Sequence, residues 1–435
     1  MNDAHTVNAD ALVLGAGPAG CSAAIALAEL GLDVALVERE TFPRAKVCGE
    51  FVSPAATEPL ETLLTPDELV ETGARRVRTL VLERGSRSAT FPMNRPAWVL
   101  SRRSLDERLV QAAETRGVRV LQPASIRELS FHERRVVAVV ETKAAPPARE
   151  RDHATVDRSE RSQTRSRRSQ LHAGLVVHAD GSGRFSSDRA AVPKRPGVLG
   201  IKCHIEHDPS LFDAASEALR MRAPEGPIAP TSDEARPGVP SGGAYLGYVP
   251  VERGLATAAF VVRQSIVKSF VARFGPLDGP AGDELLAAIW PRYNPQLRRS
   301  PFLSCGVAGS PLLVDPHPRS VRVGNAAAAV EPVGGEGIGL ALWAGLAFTA
   351  SLRSAAGVVN PRAEDVLDER TLRRARAAYH RAYRRRLRLR RPACRAAAWA
   401  LERPRLTRAI WPLVMRPPAG PALVGAWSRA TGKPA

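Results

Sequence analysis

Residues 9–40 read ADALVLGAGPAGCSAAIALAELGLDVALVERE. Ala11–Leu14 is a short apolar run of strand type, and Gly15, Gly17 and Gly20 place a GxGxxG turn directly after it. Good helix formers fill Pro18–Leu30, Gly31 supplies the C-terminal cap, and Asp33–Glu38 is a second strand. Together they predict one βαβ unit. In such a unit the first glycine permits the tight turn, the second lets a pyrophosphate approach the backbone, and the third lets helix and strand pack closely. The helix that opens at Pro18 and Ala19 offers free N–H groups and a partial positive charge to a phosphate. Glu38 ends the second strand, where an acid hydrogen-bonds a ribose. The competing view of the same residues is a glycine turn with no ligand.

The rest of the chain bounds this reading. Its 435 residues exceed one ordinary core and suggest two packed domains. Apolar residues at 44% and charged residues at 24% are globular values. Five scattered cysteines, Cys21, Cys48, Cys203, Cys305 and Cys394, show no metal spacing and suit a reducing compartment. No metal site is expected. No stretch comes near the 18 or so uncharged apolar residues of a membrane span, and Met1–Asp10 has two acids and no Lys or Arg. A cytoplasmic protein is the expectation. The net charge of +18 is local: residues 370–395 hold twelve Arg and no acid, and residues 147–170 hold seven Arg and four acids. The body is close to neutral and aromatics are 5%, which speaks against nucleic acid as a partner.

Further along, Val77–Leu100 reads as a hairpin and Ser104–Arg116 as a helix. Val118–Gln122, Val136–Glu141 and Leu171–His178 read as strands. Between the last two, residues 144–170 are rich in Pro, Arg, Ser and Glu and predict a disordered loop. Gly197–His207 and Ala244–Val262 suggest a second sheet, Ser320–Val323 a strand returning to the first domain, and Ile338 onward an apolar helix. From Glu364 the chain is helical, then punctuated by proline. Leu372, Ala375, Tyr379 and Ala382 recur at helical spacing, giving a narrow apolar face amid arginines. That face either docks on the protein or forms a peripheral foot on an anionic membrane.

Four ordered motifs narrow the cofactor. Glu38–Pro54 reads ERETFPRAKVCGEFVSP, Ser101–Leu109 reads SRRSLDERL, His178–Arg184 reads HADGSGR, and Val323–Ala327 (VGNAA) leads to Gly337–Ala341 (GIGLA). This order resembles the geranylgeranyl reductase and flavin-halogenase branch of the FAD-dependent monooxygenase superfamily, over about residues 10 to 350. The resemblance implies FAD, lined by Arg39, Arg44, Lys46, Cys48 and Gly49 after the second strand. It implies that Arg102 contacts the pyrophosphate side and that Asp180 and Gly181 form the Asp-Gly turn. Gly324, Asn325, Pro332, Gly335, Gly337 and Ile338 would form the final element, whose glycines admit a flat ring. The helix beginning there would aim N–H groups at the ring edge that becomes negative on reduction.

Three departures qualify the resemblance. Asn325 stands where the family has Asp, and Asn still hydrogen-bonds a ribityl chain. Gly49-Glu50 replaces a glycine pair. The tryptophan motifs of halogenases and archaeal-type reductases are missing, which argues against halogenation, and the equivalent strand reads AYLGYVPVE from Ala244. Cys48 and Glu50 are the weak catalytic candidates, Cys48 being read first as a structural cysteine. Asp315 and Glu331 are near enough in sequence to meet substrate. His204, His207 and His317 read as surface or satisfied histidines.

The expected architecture is α/β. Residues 1–75, 101–190 and 318–355 form a Rossmann-like FAD domain, and residues 76–100 and 191–317 form a largely antiparallel substrate domain. Residues 356–435 form a basic helical segment. No second GxGxxG is present for NAD(P)H, which the resemblance implies docks transiently in the flavin's cleft. The expected activity is hydroxylation or oxidation of an apolar aromatic, polyketide-like or lipid-like substrate. The alternative is reduction of prenyl double bonds, and a nucleic-acid-binding protein is the remote one.

Overall fold

The computed structural model describes residues 6–142, 166–181, 194–209, 218–230 and 242–430, arranged on two sheets. The first contains β1 (Thr6–Leu14), β2 (Val34–Val37), β6 (Arg119–Leu121), β7 (Ala124–Phe131), β8 (Val136–Thr142), β9 (Arg167–His178) and β15 (Ser320–Arg322). Its order is β6-β2-β1-β9-β8-β7, with β15 also on β9. The β6, β2, β1, β9 and β15 strands pair in parallel, and β7 and β8 add an antiparallel hairpin. The second sheet contains β3 (Phe51–Val52), β4 (Arg75–Arg84), β5 (Arg87–Val99), β10 (Lys194–Glu206), β11 (Leu219–Ala223), β12 (Tyr245–Pro250), β13 (Leu255–Arg263) and β14 (Leu303–Ala308). Its order is β14-β10-β13-β12-β11-β4-β5-β3, antiparallel except where β11 meets β4. The expected α/β class with a largely antiparallel second sheet is the one observed.

Eleven α-helices cover these sheets among the described residues. They are α1 (Pro18–Glu29), α2 (Thr57–Leu63), α3 (Pro66–Glu71), α4 (Arg102–Thr115), α5 (Gln264–Phe274), α6 (Pro280–Ile289), α7 (Glu336–Ala356), α8 (Ala363–Leu367), α9 (Glu369–Leu401), α10 (Pro404–Met415) and α11 (Ala419–Ala430). Ala11–Leu14 are wholly buried because helices and the neighbouring hairpin close both faces of β1, which is why they read as a continuous apolar run. The α1, α4, α7 and α9 helices share the principal core. The α5 and α6 helices cover the far face of the second sheet through Ile266, Phe270, Leu285 and Ile289.

Two expectations need correction, and one pair of alternatives is decided. The irregular loop ends earlier than residue 170: Arg167–Gln170 already belong to β9, pairing with Val139–Thr142 of β8. Ladder hydrogen bonds hold these polar residues in a strand that needs no apolar face there. Residues 144–165 of the expected loop lie outside the described residues. Gly337–Leu352 is a run of 16 uncharged residues, nearer to a membrane span than expected; α7 is long and apolar enough for one by length and composition. It is nevertheless a core helix, with Ile338, Leu340, Leu342, Phe348 and Leu352 buried. Finally, Leu372, Ala375 and Tyr379 face that core together with Tyr383 and Leu387, so the narrow apolar face of α9 docks inward. Tyr379 and Tyr383 donate hydrogen bonds to the carbonyls of Arg322 and Gly324 at 3.0 and 3.2 Å.

Candidate active site

The turn after β1 is built as its glycines require. Gly15 has φ of +98°, a left-handed conformation that glycine adopts without strain. A Cβ at Gly20 would overlap the carbonyl oxygen of Gly15, so the third glycine is fixed by packing. Gly17 caps α1 without any side-chain cap, leaving the first N–H groups of the helix open to an anion. Glu38 is buried and accepts hydrogen bonds from the N–H groups of Ala16 and Glu40, both at 2.9 Å. A carboxylate has about four acceptor directions, so capacity remains for ribose hydroxyls.

Two guanidiniums face the same turn. A Cβ placed at Gly17 would lie 3.8 Å from Arg102 and 3.9 Å from Arg44. Arg102 is clamped by the wholly buried Asp106 through two 2.7 Å hydrogen bonds. Burial opposes the charge on Arg102, and Asp106 more than offsets it, holding the guanidinium above its ordinary pKa. Arg44 lies 3.3 Å from Asp106 and 3.6 Å from Glu38, and its buried Nε has no hydrogen-bond partner among the described residues. Lys46 completes the basic set, its Nζ 3.7 Å from where a Cβ at Gly181 would stand. Loss of solvation and the charges of Arg102 and Arg44 bring its ammonium down to about 8. Three cations against two carboxylates at a helix N-terminus fit a pyrophosphate.

Space for a flat ring lies beyond. Side chains at Gly49 or Gly337 would meet no atom within 4 Å. Asn325 is exposed within an otherwise buried run, and Pro332 and Gly337 are exposed at the start of α7. Gly324 and Gly335 take left-handed φ values of +58° and +64°, and Ile338 is buried behind them. Asp180 and Gly181 are half-buried after β9. Uncapped N–H groups, convergent arginines, the orphaned Arg44 Nε and this open space fit FAD. Arg39 instead pairs with Glu40 at 3.1 Å on the surface.

Glu50 is the unexpected centre. It is wholly buried, takes a left-handed φ of +54°, and follows the half-buried Cys48, whose sulfur accepts the Glu50 N–H at 3.3 Å. Its carboxylate accepts the Arg102 N–H at 2.7 Å and contacts His204 Nε2 at 2.7 Å. Lys202 and Thr257 donate to it as well. Burial alone would raise this acid, but the His204 hydrogen bond and the Lys202 charge bring it to about 2. A carboxylate so fully engaged positions its neighbours; it has no proton to trade near neutrality.

Cross-strand registry defines the sheet face that meets this cluster. His204 lies opposite Thr257, Lys202 opposite Ala259, and Gly200 opposite Val261; Ala259 in turn faces Gly247, and Val261 faces Tyr245. Residues directly opposite share a face, so Lys202, His204 and Thr257 flank a floor of Gly200, Ala259 and Gly247 that ends at Tyr245. Tyr245 packs with Val333 of the loop before α7, and its buried hydroxyl has no hydrogen-bond partner among the described residues. Glu331, one residue before that loop, lies 3.3 Å from Arg195, which also binds Glu402 at 2.6 Å.

Lys202, Thr257 and Tyr245 stand out in no motif, and His204 reads as a surface or satisfied histidine until the fold brings it to Glu50. A signal existed: GIKCHI puts Lys202 and His204 two apart, on the face opposite buried Ile201, Cys203 and Ile205. The remaining candidates have structural partners. His207 meets the Tyr248 hydroxyl at 2.7 Å, His317 stacks at 4.6 Å on Phe131, and Asp315 pairs with Arg322 at 2.7 Å.

Residues 8–205 match the family model described as an FAD binding domain. Tryptophan 2-halogenase of Chondromyces crocatus is 34% identical over 31% of this chain, but over only 26% of its own length. Menaquinone reductase of Mycobacterium tuberculosis is 34% identical over 29% of its own length. Thus the chain spans little more than a quarter of these first relatives. Menaquinone reductase of Mycolicibacterium smegmatis is 27% identical over 81% of this chain and 78% of its own. A geranylgeranyl bacteriochlorophyll reductase-like structure from Thermoplasma acidophilum superposes with a TM-score of 0.68 at 17% identity, covering 99% of this chain and 97% of that one. The dinucleotide turn, Arg44 and Arg102 thus lie within a stretch that matches an FAD binding domain, and the chain is similar to reductases and halogenases.

Proposed function

We propose that this enzyme takes electrons from NAD(P)H and acts on an apolar, lipid-like substrate, reducing a prenyl-type carbon–carbon double bond. The observation that carries this choice is the menaquinone reductase match along 81% of the chain. The small apolar floor of Gly200, Ala259 and Gly247 supports an apolar substrate lying flat on the second sheet. When bound, FAD supplies the two-electron carrier. Gly17, Arg44 and Arg102 anchor its phosphates, and the Glu50 cluster holds the second sheet against the cofactor side. Tyr245 offers a sheltered hydroxyl to a substrate oxygen.

Hydroxylation, the activity favoured by the motifs, is the second reading. It is supported by the halogenase relative, which is more identical although over a shorter segment. Anaerobic reduction with NADPH or NADH, followed by a prenylated quinone, separates the two. Reoxidation of the flavin by the quinone without oxygen, with a saturated product, is the expected result. A flavin that stays reduced until oxygen is admitted, giving hydroxylated product, would overturn double-bond reduction. A flavin that neither nucleotide reduces would overturn the electron source.

A further inference from the structure

We infer that the outward surface of the three C-terminal helices is a docking face for an anionic lipid bilayer. Residues 369–430 contain 17 arginines and only two acids, Glu369 and Glu402. Both acids are engaged, Glu369 with Arg373 and Glu402 with Arg195. The α9 helix has 33 residues and so runs for about 50 Å. Its buried side follows Leu372, Tyr379, Tyr383, Leu387, Cys394 and Ala398. The opposite side carries exposed Arg374, Arg381, Arg388 and Arg395 at seven-residue intervals, a spacing that keeps them on one stripe.

Along that stripe the chemistry changes. Leu389, Pro392, Ala396 and Trp399 follow at intervals of three and four, all exposed. Among the described residues, each exposed leucine, tryptophan and methionine lies in this region: Leu389, Trp399, Leu413, Met415 and Leu423, from 37% to 58% exposed. Arg403 stacks over the Trp399 ring at 4.1 Å, an aromatic–cation pair suited to the boundary between headgroups and acyl chains. Clustered arginine beside exposed Trp and Leu is the composition of an interfacial helix, and its charge complements an anionic surface.

The face also adjoins the candidate site. The Trp427 ring of α11 stands 3.1 Å from where a Cβ at Gly334 would lie, beside the loop that opens α7. At the end of α9, the Glu402 carbonyl accepts the Gly243 N–H at 3.2 Å, next to the strand bearing Tyr245. Docking would bring the rim of the cleft to the bilayer, so that a lipid-dissolved substrate enters without crossing water. The inference adds a partner to the proposed function and is tested without turnover.

The test is co-sedimentation of the FAD-loaded protein with phosphatidylglycerol-containing vesicles and with pure phosphatidylcholine vesicles. Binding is expected to the anionic vesicles and to be lost at high salt. The triple change Arg381→Gln, Arg388→Gln, Arg395→Gln should weaken it about a hundredfold, from the contribution of each basic residue near such a surface. The changes Trp399→Ser, Leu413→Ser and Leu423→Ser should also weaken it, with flavin content and melting temperature unchanged. Absence of anionic-vesicle binding by the unaltered protein at low salt would overturn the inference whatever its NADPH reaction. So would intact vesicle binding after the three apolar changes combined with equal binding of duplex DNA, which would mark a general polyanion surface.

Discussion

The Nε2 atom of His204 lies 2.7 Å from Oε2 of Glu50, so an imidazole on β10 and a carboxylate beside the cofactor cleft form one unit. Glu50 also takes the Arg102 N–H and the Lys202 ammonium, joining the phosphate end of the site to the second sheet.

Replacing Glu50 with Gln should therefore destabilise the fold. It leaves Lys202, which is 1% exposed, without its counter-charge, and breaking a buried pair costs about 3–5 kcal/mol. Denaturant unfolding of the FAD-loaded protein should register a loss of that order. A change smaller than 1 kcal/mol, roughly the value of a surface pair, would show that the cluster is not a structural unit.

The same acid predicts a pH dependence. Its folded pKa is depressed to about 2 from an ordinary 4.5, so its contribution is fully present above the ordinary value and is lost as pH falls through that window. Unfolding midpoints should decline between about pH 4.5 and 2. The Glu50→Gln variant should decline less steeply over the same range. Parallel profiles would remove Glu50 as the source.

At the phosphate turn, two glycines should respond differently. A Cβ at Gly17 meets only ordinary contacts, so Gly17→Val should fold but fill the pyrophosphate space and purify without flavin. Gly20→Ala would collide with the Gly15 carbonyl and should lose stability as well. Full flavin content in Gly17→Val would displace the phosphate from this turn.

Tyr245 carries a buried hydroxyl without a partner among the described residues, an arrangement that costs about 1–3 kcal/mol. Tyr245→Phe should therefore hold or raise the melting temperature while increasing KM for an oxygen-bearing lipid substrate several-fold. Unchanged KM and kcat would mean that this hydroxyl does not meet the substrate.

Legibility followed sequence distance. The β1–α1–β2 unit, Gly15, Gly17, Gly20 and Glu38 were readable because strand period, glycine turn and helix cap all act within thirty or so residues. The β3, β7, β11 and β14 strands and the α2, α3, α5 and α6 helices are not legible in the sequence. Most of them are short, and even the one-sided apolar pattern of α5 (Ile266, Val267 and Phe270) gains its meaning only from burial against the rest of the protein. The arginine run was readable as charge, but which side of α9 faces water was not, since Leu372 and Leu389 are equally apolar.

The sequence by itself determined a dinucleotide-binding unit, the ordered motifs of an FAD enzyme and a basic C-terminal helix, all written in short contiguous stretches. Tertiary structure alone decided that Glu50 meets Lys202, His204 and Thr257, which are 152, 154 and 207 residues away. It also decided that Tyr245 borders Val333. Such contacts leave no local pattern: a buried charge is tolerated only once distant segments converge to neutralise it, and that convergence is a property of the packed sheets.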